Sequence, residues 1–371
     1  MVKILLAFGT RPEAIKMCPL VLELKKREGV QVVVCSSGQH REQLDQVLEV
    51  FKVVPDYDLK IMQDRQTLFG ITTRVLNGMK EVMEKEKPDI VLVHGDTTTA
   101  FATAIAAFYL RIPIGHVEAG LRTHNLYAPF PEEFNRKCIE IPTKWNFAPT
   151  EWCRKNLLME GNKPESIYVT GNTVIDAMRT TVREEYTDYY LESVKGKRIV
   201  FLTSHRRENI GEPMRQIFSA VRRVVEAHDG VSVIYPVHLN PEVCKIALEE
   251  FYNCPRVRLA NPMDVVRCHN IMARSYMILT DSGGIQEEAT ALGKPTLVLR
   301  DTTERPEGIE TGTLKLVGTN EEQIFREFSR LLDDEWEYNR MAQARNPYGD
   351  GHASEKIADI LLGKEEAETN G

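Results

Sequence analysis

Short, uninterrupted apolar runs separated by longer amphipathic stretches recur along almost the whole chain, and this alternation limits its possible folds more than any other feature. KILLAF (3–8), VQVVVCSS (30–37), DIVLVHG (89–95), PIGHVEA (113–119) and NFAP (146–149) form a first set of runs. RIVFLTS (198–204), VSVIYPV (231–237), YMILTD (276–281), PTLVLR (295–300) and TLKLVG (313–318) form a second. A strand with one wet face alternates apolar and polar residues; these runs do not, so they belong in parallel sheets covered by helices on both faces. Amphipathic patterns fill residues 13–27, 66–85, 212–228, 321–333 and 351–363. Strand–helix repetition of this kind marks a doubly wound α/β sheet. Two sets predict two such domains, over residues 1–172 and 173–350, with the change near REEYTDYYLESVKGK (183–197). The last helical pattern, 351–363, can pack back on the first domain, and KEEAETNG (364–371) reads as a polar, flexible tail.

Composition removes several classes of function. Lys+Arg total 47 against 54 Asp+Glu, a net charge of -7, which argues against nucleic-acid and anionic-membrane binding. The most apolar stretch, AFATAIAAFYL (100–110), stops at Arg111 and is too short to span a bilayer. The opening MVKILLAFGTRPE reads as a strand entering a turn, without the small-residue cleavage site of a signal peptide. Seven scattered cysteines with no C-x-x-C fit a reducing, cytoplasmic setting rather than a disulfide or zinc framework. Nothing has metal-ligand spacing. The one D-x-D, Asp56-Tyr57-Asp58, follows Pro55 between a helix and a strand and reads as a polar turn.

In open α/β sheets ligands sit at the carboxyl ends of strands, and a two-domain version places a cleft between two such edges. The first run ends in FGTRPEAIK (8–16), where Pro12 suits the first turn of a helix and leaves Arg11 and Lys16 able to hold a phosphate. Its single glycine is not a G-x-G-x-x-G, and no Walker pattern occurs, so a bound dinucleotide or a P-loop is disfavoured. Asp96 follows Gly95 at the next run's end, where helix N-cap and functional carboxylate are both open readings. Glu118 stands where the run 113–119 stops, and a carboxylate among Val117, Ala119 and Gly120 is costly to bury without a purpose. In PFPEEFNRK (129–137), i,i+4 spacing pairs Glu132 with Arg136 and Glu133 with Lys137, so local pattern favours surface salt bridges. In the second half, His205-Arg206-Arg207 follows a strand and suits phosphate oxygens. TDSGGIQEEA (280–289) is the sharpest signal. Ser282, Gly283 and Gly284 open a helix whose free N–H groups can take a diphosphate, and Glu288 lies where a carboxylate can accept both ribose hydroxyls. RDTTERPEG (300–308) adds Arg305 beside another strand end.

Read in order, FGTRPEAIKM, GQHREQLDQVL, VHGDTTTAFA, GHVEAGLRT, PFPEEFNR, SHRRENIGEP, YPVHLNP, TDSGGIQEEA and RDTTERPEG resemble the non-hydrolysing UDP-N-acetylglucosamine 2-epimerases, over residues 3–355. The resemblance implies two Rossmann-like doubly wound domains facing a central cleft, the GT-B type. It implies reversible conversion of UDP-GlcNAc to UDP-ManNAc through a 2-acetamidoglucal, by a cytoplasmic homodimer with no metal or nicotinamide cofactor, supplying ManNAc for cell-surface polysaccharide. The family's catalytic carboxylates fall on Asp96, Glu118 and Glu132, against the local reading of Glu132. His205, placed with them, would neutralise phosphate charge together with Arg11, Lys16 and Arg305. Ser282, Gly283 and Gly284 would hold the diphosphate, Glu288 the ribose, and Met263 and Cys268 the uracil. An activating second UDP-GlcNAc would fall on Gln39, Arg65, Glu132, Arg206 and His238, with Glu42 standing where relatives with that site tend to have glutamine. A GT-B glycosyltransferase, a hydrolysing epimerase that releases free ManNAc and UDP, and a non-catalytic nucleotide-sugar sensor are the rival readings.

Overall fold

The computed structural model describes residues 1–38, 41–63 and 66–363, without the side chains of residues 41 and 42. The chain divides into two compact units: Met1–Thr180, completed by the segment that begins at Gly349, and Thr181–Tyr348.

In the first unit the strands are β1 (Val2–Phe8), β2 (Val30–Ser36), β3 (Tyr57–Asp58), β4 (Ile90–His94), β5 (Ile114–Val117), β6 (Trp145–Ala148) and β7 (Ile167–Val169). They pair in parallel in the order β3-β2-β1-β4-β5-β6-β7, with Leu5 opposite Val33 on one side and Val91 on the other. The helices between them are α1 (Arg11–Lys25), α2 (Arg41–Phe51), α3 (Leu68–Glu86), α4 (Thr98–Tyr109), α5 (Glu132–Glu140), α6 (Glu151–Met159) and α7 (Thr173–Thr181). Leu5, Val33, Val91 and Val93 form one core with Val75 and Met79 of α3 and the small face of α4, which explains why β1 and β4 carry no polar alternation.

The second unit repeats the plan. Strands β8 (Arg198–Thr203), β9 (Val231–Pro236), β10 (Val257–Ala260), β11 (Met277–Thr280), β12 (Thr296–Val298) and β13 (Leu314–Leu316) run in parallel in the order β10-β9-β8-β11-β12-β13. Its helices are α8 (Tyr189–Ser193), α9 (Glu212–Ala227), α10 (Pro241–Glu250), α11 (Val265–Arg274), α12 (Gly283–Ala291), α13 (Pro306–Thr311), α14 (Glu321–Asp333) and α15 (Glu335–Ala342). In each sheet the winding reverses beside the first strand, between β1 and β4 and between β8 and β11, and such switch points are where α/β sheets bind ligands.

Helix α16 (Ala353–Leu361) returns to the first unit and packs on α1, with Arg27 3.0 Å from Asp359. Asp176 of α7 accepts the N–H groups of Ala353 and Ser354 at its start. The division at 180/181 keeps α7 with the first unit, eight residues beyond the change expected at 172/173; Val174, Ala177 and Met178 are buried there. Three strands had no counterpart in the apolar runs. β7 and β10 are edge strands with exposed residues, and β3 is two residues long, so Tyr57 and Asp58 of the D-x-D are strand rather than turn.

Candidate active site

Glu118 is the first residue past β5, in a left-handed conformation (φ 66) seldom adopted outside glycine and asparagine. Its side chain is 9% exposed and ringed by polar groups. Lys16 pairs with Oε1, Asn172 donates to the same oxygen at 3.0 Å, and His94 Nε2 lies 3.3 Å from Oε2. Burial pushes the His94 imidazole down to about 3 against the pull of Glu118, so it is neutral at physiological pH. The turn after Glu118 is fixed by Gly120 (φ 89), where a Cβ would run into the backbone of Cys153.

Asp96 follows β4 on the neighbouring strand. It is not the cap of α4: Thr97 takes that role, its hydroxyl accepting the N–H of Ala100 at 3.0 Å. The Asp96 carboxylate pairs instead with Arg136 of α5. That pairing also corrects the expected surface bridges, since Arg136 is 3.4 Å from Glu133 and Lys137 is 3.1 Å from Glu160. Glu133 is fully buried and takes the backbone N–H groups of Thr123 and His124, each at 3.0 Å. Glu132, the first residue of α5, is partly buried, and its side chain makes no hydrogen bond or ion pair among the described residues. Glu13 joins the two switch-point turns, accepting Gly9 N, Thr10 N and the hydroxyls of Thr10 and Thr97 at 2.7–3.1 Å. Burial raises its pKa and those four bonds oppose the rise. Arg11 is partly exposed in the first turn of α1, whereas Lys16, expected at a phosphate, is buried against Glu118.

In the second unit Ser282 caps α12, and Gly283 brings the backbone so close to Arg305 that a Cβ would lie 3.1 Å from its Nη1. Arg305 donates from Nε to buried Glu287 at 2.9 Å. Glu288, one turn into α12, is 3.4 Å from His269. Met263 and Cys268 pack on the same apolar cluster, with Ile234 and Ile278. His205 follows β8 and stacks on His238 with ring centres 5.5 Å apart, beside Arg206. Burial lowers the His205 pKa and the charge of Asp281 opposes that. Gln39 and Arg65 lie outside the described residues, as does the 364–371 tail, and the side chain of Glu42 is not described.

Several participants were not singled out by pattern. Asp281 is fully buried, and its Oδ2 collects the N–H groups of His205 and Arg206, the hydroxyl of Ser204 and the amide of Asn209, at 2.8–3.0 Å. Asn209 continues to the carbonyl of Leu299, so three strand ends are tied together. Glu13 was visible as the T-x-x-E capping box of Thr10-Arg11-Pro12-Glu13. Asn172 would have stood out at a strand end had Ile167–Val169 been read as a strand.

The first unit therefore presents three carboxylates in different settings, one in an amide–imidazole–ammonium cage, one against an arginine and one unpaired. The second presents a helix N-terminus, an arginine and a histidine suited to an anion, with a carboxylate further along suited to hydroxyls. Among the described residues no helix is long and apolar enough to cross a membrane.

The family model described as UDP-N-acetylglucosamine 2-epimerase matches residues 22–362. A UDP-N-acetylglucosamine 2-epimerase of Bacillus subtilis (strain 168) is 56% identical over 360 residues, covering 97% of this chain and 95% of that protein. The crystal structure of UDP-GlcNAc 2-epimerase from Neisseria meningitidis bound to UDP-GlcNAc superposes with a TM-score of 0.90 at 45% identity, covering 98% of this chain and 100% of that one. The Methanocaldococcus jannaschii UDP-GlcNAc 2-epimerase in complex with UDP-GlcNAc and UDP gives a TM-score of 0.82 at 32% identity, covering 97% and 99%.

Proposed function

Because the chain belongs to the UDP-N-acetylglucosamine 2-epimerase family, we propose that it interconverts UDP-GlcNAc and UDP-ManNAc by eliminating UDP and adding it back, without hydrolysis. The observation that carries this reading is the set of three carboxylates at strand ends and a helix start in the first unit, Asp96, Glu118 and Glu132. The C2 hydrogen of the sugar is not next to a carbonyl, so no ordinary side-chain base removes it directly. Departure of UDP gives C1 oxocarbenium character and makes that hydrogen acidic. The C1–O bond breaks with its electron pair going to the diphosphate. A carboxylate takes the C2 proton, and the C2–H electrons become the C1=C2 bond of 2-acetamidoglucal. Protonation of C2 from the opposite face and return of UDP to C1 complete the exchange. One base alone would return the proton to the face it left, so two acid–base groups are needed, with a third carboxylate to stabilise the cationic carbon. Atoms and electrons balance with no metal or nicotinamide.

In this reading Ser282, Gly283, Gly284, Arg305 and His205 hold the diphosphate, Glu288 the ribose, and Met263 and Cys268 the uracil, while Arg11 adds positive charge and Lys16 stays paired with Glu118. The product would supply ManNAc for cell-surface polysaccharide from the cytoplasm. A homodimer is part of the same proposal, as the resemblance implies.

Incubation with UDP-GlcNAc alone in deuterated water tests the proposal. The expected outcome by NMR is UDP-ManNAc with deuterium at C2 in both epimers, and no free ManNAc. Asp96→Asn, Glu118→Gln and Glu132→Gln should each slow the reaction by about 10²- to 10⁴-fold. Free ManNAc as the product would point to a hydrolysing epimerase, and a requirement for an acceptor to a glycosyltransferase.

A further inference from the structure

Asp96 is gripped twice by successive residues of α5. Asn135 donates its amide to the Asp96 carbonyl at 2.9 Å, and Arg136 Nη2 pairs with Asp96 Oδ2. The two ends of that ion pair are unequal: the Arg136 side chain is 8% exposed and that of Asp96 26%. The buried partner is the fixed one. Its other Nη is 3.4 Å from Glu133, whose carboxylate already holds the N–H groups of Thr123 and His124. Arg136 meets Asp96 through a single nitrogen on a single oxygen, so Oδ1 keeps no protein partner among the described residues. An end-on grip of this kind orients a carboxylate while leaving one oxygen available to a proton, whereas a two-pronged grip would occupy both. Since Thr97 is the cap of α4, Asp96 has no structural task in its own helix that would account for the arrangement.

We propose that Arg136 is a positioning residue for the epimerisation: it aims the Asp96 carboxylate by tying it to α5, the helix that opens with Glu132. The proposal rests on the epimerase reading and deepens it, because two of the three carboxylates then share one rigid mount. Small errors of placement at a reacting centre cost large factors in rate, so the effect belongs on turnover rather than on substrate binding.

The test combines Arg136→Ala, Arg136→Lys, Asp96→Asn and the Asp96→Asn/Arg136→Ala double variant, each assayed for UDP-ManNAc formation and for deuterium entry at C2. Added guanidinium serves as a probe, and thermal melting reports folding. Arg136→Ala should lose about 100-fold in kcat with KM nearly unchanged. Guanidinium should recover part of that rate in Arg136→Ala and none in the double variant. The double variant should be slower than Asp96→Asn by no more than about threefold, since the arginine acts through the aspartate. Arg136→Lys, which keeps charge without the fork, should lie between wild type and Arg136→Ala, and it carries the test if the alanine variant does not fold. Full activity in Arg136→Ala or Arg136→Lys, losses that multiply in the double variant, or guanidinium rescue without Asp96 would overturn the proposal. A wild-type protein that exchanges no C2 hydrogen would instead overturn the epimerisation reading, and this proposal with it.

Discussion

Glu118 sits in a conformation glycine usually supplies, and its neighbours explain how the fold tolerates it. Lys16 comes from α1, Asn172 from the turn after β7 and His94 from the end of β4, and each has a polar atom on or beside one of its oxygens. His94 is the costly member, because a fully buried imidazole cannot take a proton where an unfolded chain can. With a native pKa of about 3 against an ordinary 6.5, the unfolded state binds a proton in that window and the native state does not. Stability from this residue is therefore complete above pH 6.5 and lost as pH falls towards 3, at up to about 1.4 kcal/mol per pH unit. Burial lowers His116 too, so it adds a slope of the same sign, and the informative quantity is a difference. Denaturant unfolding from neutral to mildly acidic pH should show a shallower loss in His94→Gln than in the wild type. Parallel curves would mean that His94 does not govern the acid limb.

Element by element, α5 does most to organise the first unit's carboxylates. It begins with Glu132, holds Asp96 through Asn135 and Arg136, and clamps the loop after Glu118 through Glu133, while Glu140 accepts the N–H of Gly120 at 2.7 Å. Glu133→Ala would take the carboxylate acceptor from two part-buried backbone N–H groups that water can then reach, at about 0.5–1.5 kcal/mol each. The expected signature is local: faster hydrogen exchange at Thr123 and His124, with the amides of β1 and β4 still protected. Unchanged exchange at those two amides would show that other contacts hold the loop. None of this was legible in PFPEEFNRK. Charge spacing along a helix shows which side chains can meet if that face is wet, and here Glu133, Asn135, Arg136 and Glu140 are all buried. The same limit hid Asp281, whose four donors include Asn209, 72 residues away. Legibility was high where chemistry is local: β1, β4, β8, β9 and β11 were continuous Val/Ile/Leu runs, and the Ser282-Gly283-Gly284 turn announced a helix start by its glycines. It failed for β3, β7 and β10, which are too short or too exposed to leave an apolar run.

At the scale of the whole chain, two sheets of the same winding order each carry their own core, and the polypeptide leaves the first unit at residue 180 and re-enters it at 349. The first unit is thus closed by distant sequence: α16 supplies buried Ala353, Ile357, Ala358 and Leu361 and satisfies Asp176 with two backbone N–H groups. Residues 181–348 need nothing from that helix to complete β8–β13. Separate cores of this size commonly unfold as separate steps. Calorimetry should accordingly resolve two transitions. Truncation after Tyr348 should lower one of them and leave the other in place. UDP, which the proposed function assigns to the Ser282 turn, should raise the one that truncation spares, by about 2.7 kcal/mol of stability at a hundredfold excess over its Kd. A single transition that follows both truncation and UDP would refute this division of labour, because it would make α16 as necessary to the nucleotide-binding sheet as to the sheet on which it packs.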